Sequence, residues 1–272
     1  AGRQTAGSTM QSATQKECND ILAALESWYA SPRGRYLLQA TRDAMQDMLE
    51  TAFGYHILQL GLRGEEPLCE GSPINHRIFC AERPGEGIGL VAHADELPIE
   101  SDSIDAVILH HCLEFANSPH RVLREVQRVL TPQGQLLIVG FNPVSLHGLS
   151  AQVRGLLRHE LWRWHRPVVE HRLTDWLHLL GCDVDEVIRL YGVPPIGKGR
   201  LQRALMACDA WTQRHNFPLS GVYILHATKQ VVRPRPLLRE RRARLISLVP
   251  KPAPMPPASR DLEIFEKRNV GT

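Results

Sequence analysis

The chain lacks the features that identify several common classes of protein. Its six cysteines form no Cys-x-x-Cys pair and no Cys/His ladder with zinc-finger spacing. No apolar run approaches the ~18 residues that a transmembrane helix needs. No charged start followed by an apolar core indicates a signal peptide. These absences predict reduced thiols in a cytoplasmic protein, with no membrane span and no bound metal.

The chain also has little excess of charge of one sign, because its net charge is only +3. Residues 229–244 carry seven basic residues and one acidic residue, or +6, which leaves −3 for the rest of the chain (+3 minus +6). No aromatic residues are interleaved with these basic residues, so nucleic acid is not the predicted partner. We expect a disordered tail at 1–14 and a solvated, basic, Pro-rich extension at 232–272.

The chain has enough apolar residues to build one substantial core, since 43% of its 272 residues are hydrophobic. Apolar periodicity predicts N-terminal helices over 15–54, with Ser31 as an N-cap and Pro32 opening the second helix. The main domain is expected over 55–231, with insertions near 145–170 and 191–220.

Short apolar runs alternate with amphipathic segments through the main domain. Buried strands are predicted at 56–60, 77–81, 89–94, 105–110, 135–141, 182–190 and 222–227. Helices are predicted at 119–130, 173–180 and 201–211. This alternation predicts an α/β fold with a seven-stranded, mostly parallel sheet that is covered on both faces.

Polar residues follow the predicted strands at the places where such sheets bind ligands, the carboxyl ends near the switch in strand order. Gly61 and Gly64 follow the first strand and Glu82 the second. His93, Ala94 and Asp95 follow the third strand, and His110 and His111 end the fourth.

The segment from Gly89 to Pro143 resembles a known family. It contains SIDAVIL from Ser103 and RVLTPQG from Arg128, and both are similar to class I S-adenosylmethionine (SAM)-dependent methyltransferases of the methyltransferase type 11 kind. WYASPRGRYLL from Trp28 and GFNPVSLHGL from Gly140 resemble a proteobacterial branch of unknown substrate. The resemblance implies a Rossmann-like three-layer fold with an N-terminal helical cap, and SAM as cofactor.

The resemblance also implies SAM contacts at the strand ends. The family has acidic-x-Gly-x-Gly-x-Gly at the first strand, where this chain has Gln59, the matching Gly61, and Arg63 in place of the second glycine. Gly64 is offset by one residue. A glutamine accepts a hydrogen bond from the SAM ammonium group but supplies no charge. Glu82 stands roughly where an acid of the family takes the ribose hydroxyls.

Two alignments remain open for the turn that contacts adenine. Anchoring on Leu97-Pro98-Ile99 places His93 at the family's Asp and Asp95 at its Glu, on either side of Ala94. A shorter loop instead gives Asp95 the adenine contact, and we favour Asp95. His110 falls where a small polar residue of the family often contacts SAM.

The function implied is methyl transfer from SAM to an unidentified acceptor, a small molecule rather than a macromolecule. An oxygen or nitrogen acceptor would use a base, for which His110 and His111 are the candidates. An acceptor that is already nucleophilic needs none. Adjacent strand residues point to opposite faces, which argues against a metal bound by both histidines.

Two alternative functions remain, and the altered first-strand loop favours the first of them. The chain could keep the fold, bind SAM weakly or not at all, and act as an interaction module. A nicotinamide oxidoreductase is disfavoured, because no Gly-x-Gly-x-x-Gly follows the first strand.

Overall fold

A computed structural model describes residues 23–62, 67–143, 145, 168–190 and 200–230 of the chain. The strands are β1 (His56–Gly61), β2 (His76–Ala81), β3 (Leu90–Val91), β4 (Ile104–His110), β5 (Leu130–Phe141), β6 (Cys182–Leu190) and β7 (Val222–Lys229). The helices are α1 (residues 23–29), α2 (Pro32–Glu50), α3 (Cys112–Phe115), α4 (Pro119–Val129), α5 (Glu170–Leu179) and α6 (Arg200–Arg214), with a 3-10 turn at Leu68–Gly71.

Several predicted segments lie outside the described residues. They are the tail 1–14, the start of the N-terminal helices at 15–22, Gly64, most of the insertion 145–170, part of the insertion 191–220, and the extension 232–272. Among the described helices, none combines the length and the apolar composition that crossing a bilayer requires.

All seven strands form one sheet in the order β3-β2-β1-β4-β5-β7-β6. The first five are parallel to one another, and β7 lies antiparallel between β5 and β6. The fold is therefore the expected Rossmann-like, mostly parallel sheet. The strand order switches direction between β1 and β4, which is where doubly wound sheets bind their ligands.

Apolar side chains cover both faces of the sheet, as continuous apolar strands predict. On β4, Ala106 and Ile108 pack against the core under α1 and α2. Val107 and Leu109 pack against the opposite core, which α4 and α5 cover. The alternation brings the side chain of His110, the last residue of β4, to the α1 side, where its ring meets that of Tyr29.

Two strands differ from their predicted bounds by more than two residues. β3 has only two residues instead of 89–94, because the chain turns away from the sheet and closes a bridge between His93 and Glu96. β5 begins at Leu130, five residues before its predicted start, because Leu130 already pairs with Ile104. The register between β4 and β5 then shifts between Ile104 and Ala106.

The connection between β1 and β2 is short and has little regular structure in its described part. Only residues 62–75 join the two parallel strands, and in their described part the regular structure is the 3-10 turn Leu68–Gly71. Parallel strands need a crossover of about a dozen residues or more, usually built around an α-helix. This chain therefore approaches the lower limit, and a helix N-terminus that could face a ligand after β1 is not found in the described part of the crossover.

The N-terminal helices are fixed at their junction. Ser31 caps α2 as predicted, accepting a hydrogen bond from the Gly34 N–H at 3.2 Å, and Pro32 occupies the first turn. A Cβ at Gly34 would lie 2.3 Å from the Trp28 carbonyl oxygen and 2.4 Å from Tyr29 Cα. Only glycine permits this approach, which places Tyr29 over the end of β4.

Candidate functional site

The carboxyl ends of β1 and β4 are in direct contact at Gly61. Gly61 pairs with His110, and the Leu62 N–H donates to the His110 carbonyl oxygen at 2.8 Å. Gly61 has φ +94°, and a Cβ there would lie 2.3 Å from that same oxygen and 3.0 Å from Cys112 Cβ. The position therefore requires glycine for two reasons, its backbone conformation and the lack of space.

Gln59 lies fully buried on β1, and both polar atoms of its amide are used within the chain. Its Nε2 donates to the Leu62 carbonyl oxygen at 3.1 Å, and its Oε1 accepts from the Leu68 N–H at 3.1 Å. A carboxylate has no proton to donate to Leu62. Gln59 therefore has a structural role, since its amide links Leu62 and Leu68 across the loop after β1. Sequence reasoning missed this role.

His110 is fully buried, and its protonation pattern follows from one hydrogen bond. Its Nδ1 lies 3.0 Å from the Leu62 carbonyl oxygen, an acceptor, so Nδ1 carries the proton. Nε2 is then the lone-pair nitrogen, and it has no hydrogen-bond partner within the described structure. Burial, followed by the neighbouring His111, lowers the pKa of His110 well below its ordinary value, so the ring is neutral.

His111 follows β4 in a left-handed conformation, with φ 51°. Its Nε2 lies 2.7 Å from the Tyr29 hydroxyl, and its Nδ1 lies 3.3 Å from Glu114 Oε2. Glu114 in turn accepts from the Phe141 N–H, and the Phe141 ring stacks on His111 with centroids 4.0 Å apart. When Nδ1 donates to the Glu114 carboxylate and His111 is neutral, its Nε2 accepts a hydrogen bond from the Tyr29 hydroxyl.

Tyr29 is the member of this network that sequence reasoning missed. It is 82 residues from His111 in the chain, and no motif connects the two. The sequence weakly indicated that Glu114 contacts His111, since it lies three residues after it. All three side chains are at most 2% exposed, so the network is almost fully buried.

The predicted adenosine contacts gather on a more open side of the same edge. Glu82 lies 3.4 Å from His93 Nδ1, and Asp95 lies 3.6 Å from Arg121. Burial, and then Cys80, Glu82 and Asp95, raise the pKa of Cys112 to about 12, so the two carboxylates lie within electrostatic range of this thiol. Cys112 contacts Gly61, which joins this side to the β1–β4 contact.

The predicted site residues thus fall into two neighbouring groups. Glu82, His93 and Asp95 form the open group, with Ala94 packed into the core beneath. Gln59, Gly61, His110 and His111 form the buried group. In the described ranges no three His, Cys, Asp or Glu side chains are grouped as metal ligands. His110 Nε2, a buried acceptor without a partner in the described structure, suits a polar ligand such as SAM at this edge.

Replacing Gln59 by Glu, the residue type that the family carries, should destabilise this protein. At pH 7 the buried carboxylate would face the Leu62 carbonyl oxygen without a proton, at a cost of about 1–3 kcal/mol. Burial raises the pKa of such a glutamate above its unfolded value, so the deficit shrinks as pH falls and the acid regains a proton. Urea unfolding at pH 7 and pH 5 measures both effects.

Gln39→Glu is the matched control, since Gln39 is exposed and donates only to Asp43 on the same helix. It should lose no more than about 0.5 kcal/mol. Equal losses in the two variants would contradict the role assigned to Gln59.

His110 should make stability depend on pH. Its folded-state pKa lies well below the ordinary value, so the unfolded chain binds the proton first as pH falls. Stability is therefore complete above about pH 6.5 and decreases below it, by up to about 1.4 kcal/mol per pH unit. His110→Asn, which keeps an N–H for Leu62, should flatten this dependence between pH 6.5 and 5. Identical pH profiles in the two proteins would show that His110 is not held neutral.

Comparison with known proteins adds to this geometry. Residues 75–138 match the family model described as a methyltransferase domain. The uncharacterized protein YafS of Escherichia coli is 31% identical over 175 residues, which cover 64% of this chain and 71% of YafS. The ubiquinone/menaquinone biosynthesis C-methyltransferase UbiE of Vibrio parahaemolyticus is 37% identical, over only 22% of this chain and 23% of its own.

Among solved structures, a SAM-dependent methyltransferase from Thermotoga maritima superposes with a TM-score of 0.52 at 17% identity. It covers 71% of this chain and 89% of its own. That likeness concerns the fold, and the match with YafS concerns the family. The chain belongs to the class I SAM-dependent methyltransferases.

Proposed function

We propose that this protein transfers the methyl group of SAM to a small-molecule acceptor, as an enzyme of class 2.1.1. The observation that supports this most is the β1–β4 contact at Gly61. There Gly61 lies against His110, a neutral, buried acceptor, and against Cys112, which two partly exposed carboxylates, Glu82 and Asp95, influence electrostatically. SAM has matching parts, namely a charged amino-acid end and an adenosine with hydroxyl and amino donors.

We propose that the open group binds adenosine. Glu82 accepts from the ribose hydroxyls, and Asp95 accepts from the adenine amino group, with His93 as the alternative for adenine. The Asp95–Arg121 pair is partly exposed and long at 3.6 Å. Such pairs are weak, so Asp95 can exchange this partner for a ligand at little cost.

The sulfonium of bound SAM supplies a methyl group with a good leaving group already attached. The protein then has to orient the acceptor, exclude water and remove a proton where the acceptor carries one. His110 is a poor base because its pKa is depressed. The proton-accepting route is instead the network of Tyr29, His111 and Glu114.

In this route the acceptor gives its proton to Tyr29 Oη while the Tyr29 proton moves to His111 Nε2. Glu114 holds the opposite ring nitrogen and stabilises the charge that forms on His111. Tyr29 touches the acceptor, and His111 and Glu114 act through it. Tyr29 is only 2% exposed, so a group that reaches it belongs to a small molecule rather than to a folded macromolecule.

The cytoplasm is the proposed location. The described cysteines are free thiols, as expected in a reducing compartment.

Two observations favour an alternative, a methyltransferase-fold protein that binds SAM weakly and acts as an interaction module. The Gln59 amide is occupied by the main chain, and the described part of the β1–β2 crossover shows only a 3-10 turn. Neither observation removes the open carboxylates. The two functions therefore differ in measurable SAM affinity.

Calorimetric titration with SAM, its product S-adenosylhomocysteine (SAH) and NADH separates the candidates. We expect SAM and SAH to bind at micromolar to millimolar dissociation constants (about −8 to −4 kcal/mol), and NADH to give no heat. Heat from NADH alone would indicate the oxidoreductase. If none of the three ligands gives heat at concentrations on the order of several millimolar, the protein acts as an interaction module and not as an enzyme of either kind.

The same titration on Asp95→Ala and His93→Ala decides which residue contacts adenine. The residue that accepts from the adenine amino group should lose about 1–3 kcal/mol of SAH binding on truncation, since it leaves a donor unpaired. Arg121→Ala is the control, because it removes the surface partner of Asp95 but no ligand contact. Wild-type affinity in both alanine variants would reject both assignments.

A further inference from the structure

Two histidines face each other at the amino ends of β1 and β2, at the opposite end of these strands from the candidate site. His56 is the first residue of β1 and His76 the first residue of β2, and the two are paired in register. Directly paired residues of parallel strands have their side chains on the same face of the sheet. Two residues further along, Leu58 and Ile78 pack against the same core, so both imidazole rings lie on that face.

The two rings are in contact, and the backbone that carries them is held in place. Their Nδ1 atoms lie 2.6 Å apart, and their centroids lie 4.8 Å apart. Asp105 accepts from the main-chain N–H groups of Tyr55 and His56, at 2.6 Å and 3.0 Å, which fixes the start of β1. The pairing of β1 with β2 then fixes His76. The fold thus brings together two ring nitrogens that are 20 residues apart in the chain.

This pair of nitrogens suits a metal ion of the zinc, copper and nickel group, for which neutral imidazole is a preferred ligand. The contact between the neutral rings is a hydrogen bond in which one Nδ1 carries the proton. When that proton moves to Nε2 of the same ring, both Nδ1 atoms offer a lone pair. A tetrahedral Zn²⁺ with Zn–N distances of about 2.1 Å holds its nitrogens about 3.4 Å apart. His76 is exposed and His56 half-buried, so side-chain rotation can open the pair by the remaining ~0.8 Å.

We propose that His56 and His76 form a binding site for a divalent transition metal ion such as Zn²⁺, which both Nδ1 atoms coordinate. Water fills the remaining positions, because no third His, Cys, Asp or Glu side chain joins the pair within the ranges that the structure describes. The absence of zinc-finger spacing predicted no bound metal. Two ligands on neighbouring strands produce no such spacing, so the sequence pattern does not reveal this site.

The bound ion acts as a cross-link over the short connection between β1 and β2. It joins the first residue of β1 to the residue that directly follows the connection at 62–75, whose described part has only a 3-10 turn as regular structure. A metal that closes a loop in the folded chain stabilises the fold, because it binds the folded state in preference to the unfolded state. Mg²⁺ prefers oxygen ligands and should have no such effect.

Calorimetric titration of the untagged, EDTA-treated and dialysed chain with ZnCl₂ tests the site. The tightest binding should involve one equivalent of Zn²⁺. Two ligands held together bind more tightly than either alone, typically by about 10²- to 10⁴-fold. His56→Gln and His76→Gln should therefore each weaken Zn²⁺ binding by at least about 100-fold. His178→Gln is the matched control, because it removes an exposed histidine outside the pair and should keep the wild-type affinity.

Thermal unfolding gives a second readout of the same cross-link. Zn²⁺ at about 100 times its dissociation constant should raise the Tm of the wild-type protein and of His178→Gln by about 5 °C. The same concentration of MgCl₂ should not change it, and neither pair variant should respond to Zn²⁺. Urea unfolding in the presence of EDTA shows that each variant is folded without metal.

Three results would overturn this inference. The first is a wild-type protein that gives no heat with ZnCl₂. The second is wild-type Zn²⁺ affinity in both pair variants, which would place the metal elsewhere. The third is the loss of one of two equivalents in each variant at unchanged affinity, which would mean that the two histidines bind separate ions. None of these results bears on SAM binding, since the pair lies at the other end of the strands.

Discussion

The contact between the carboxyl ends of β1 and β4 is the constraint on which the rest of the site depends. At Gly61 the chain comes so close to β4 that a Cβ would collide with the His110 carbonyl oxygen. Leu62 then becomes a shared partner, donating to His110 and accepting from both Gln59 and the His110 ring. One glycine thus fixes the loop after β1, the tautomer of His110 and the direction of its lone pair.

A second constraint comes from burying charge at the end of β4. Glu114 is at most 2% exposed, and a buried carboxylate is tolerated only with donors around it. Phe141 N–H and His111 supply them. Gly140 provides space for the Glu114 carboxylate, since a Cβ there would lie 2.6 Å from the Tyr223 hydroxyl and 3.0 Å from Glu114 Oε1. The same contacts that make Glu114 stable orient His111 toward Tyr29, so stability and the proposed proton route share their residues.

Sequence reasoning predicted the sheet and proposed residues at its strand ends, but it did not predict the hydrogen bonds that join the buried ones. The buried, mostly apolar strand β4 and the more exposed strand β6 are both found within one residue of their predicted limits. Glu82 and Asp95 were proposed as site residues because strand ends converge on one edge. Tyr29 was missed because its partner is 82 residues away. The role of Gln59 was missed because it depends on the main-chain path of Leu62 and Leu68, which side-chain chemistry alone does not reveal. β3 was overestimated because apolar residues that turn into the core resemble a strand.

A crystal structure of the complex with SAH tests the central claim most directly, namely that SAM binds across the carboxyl ends of β1, β2 and β4. The account predicts the adenosine beside Glu82 and Asp95 and the amino-acid end of SAH toward the β1–β4 contact at Gly61. SAH bound elsewhere would contradict it.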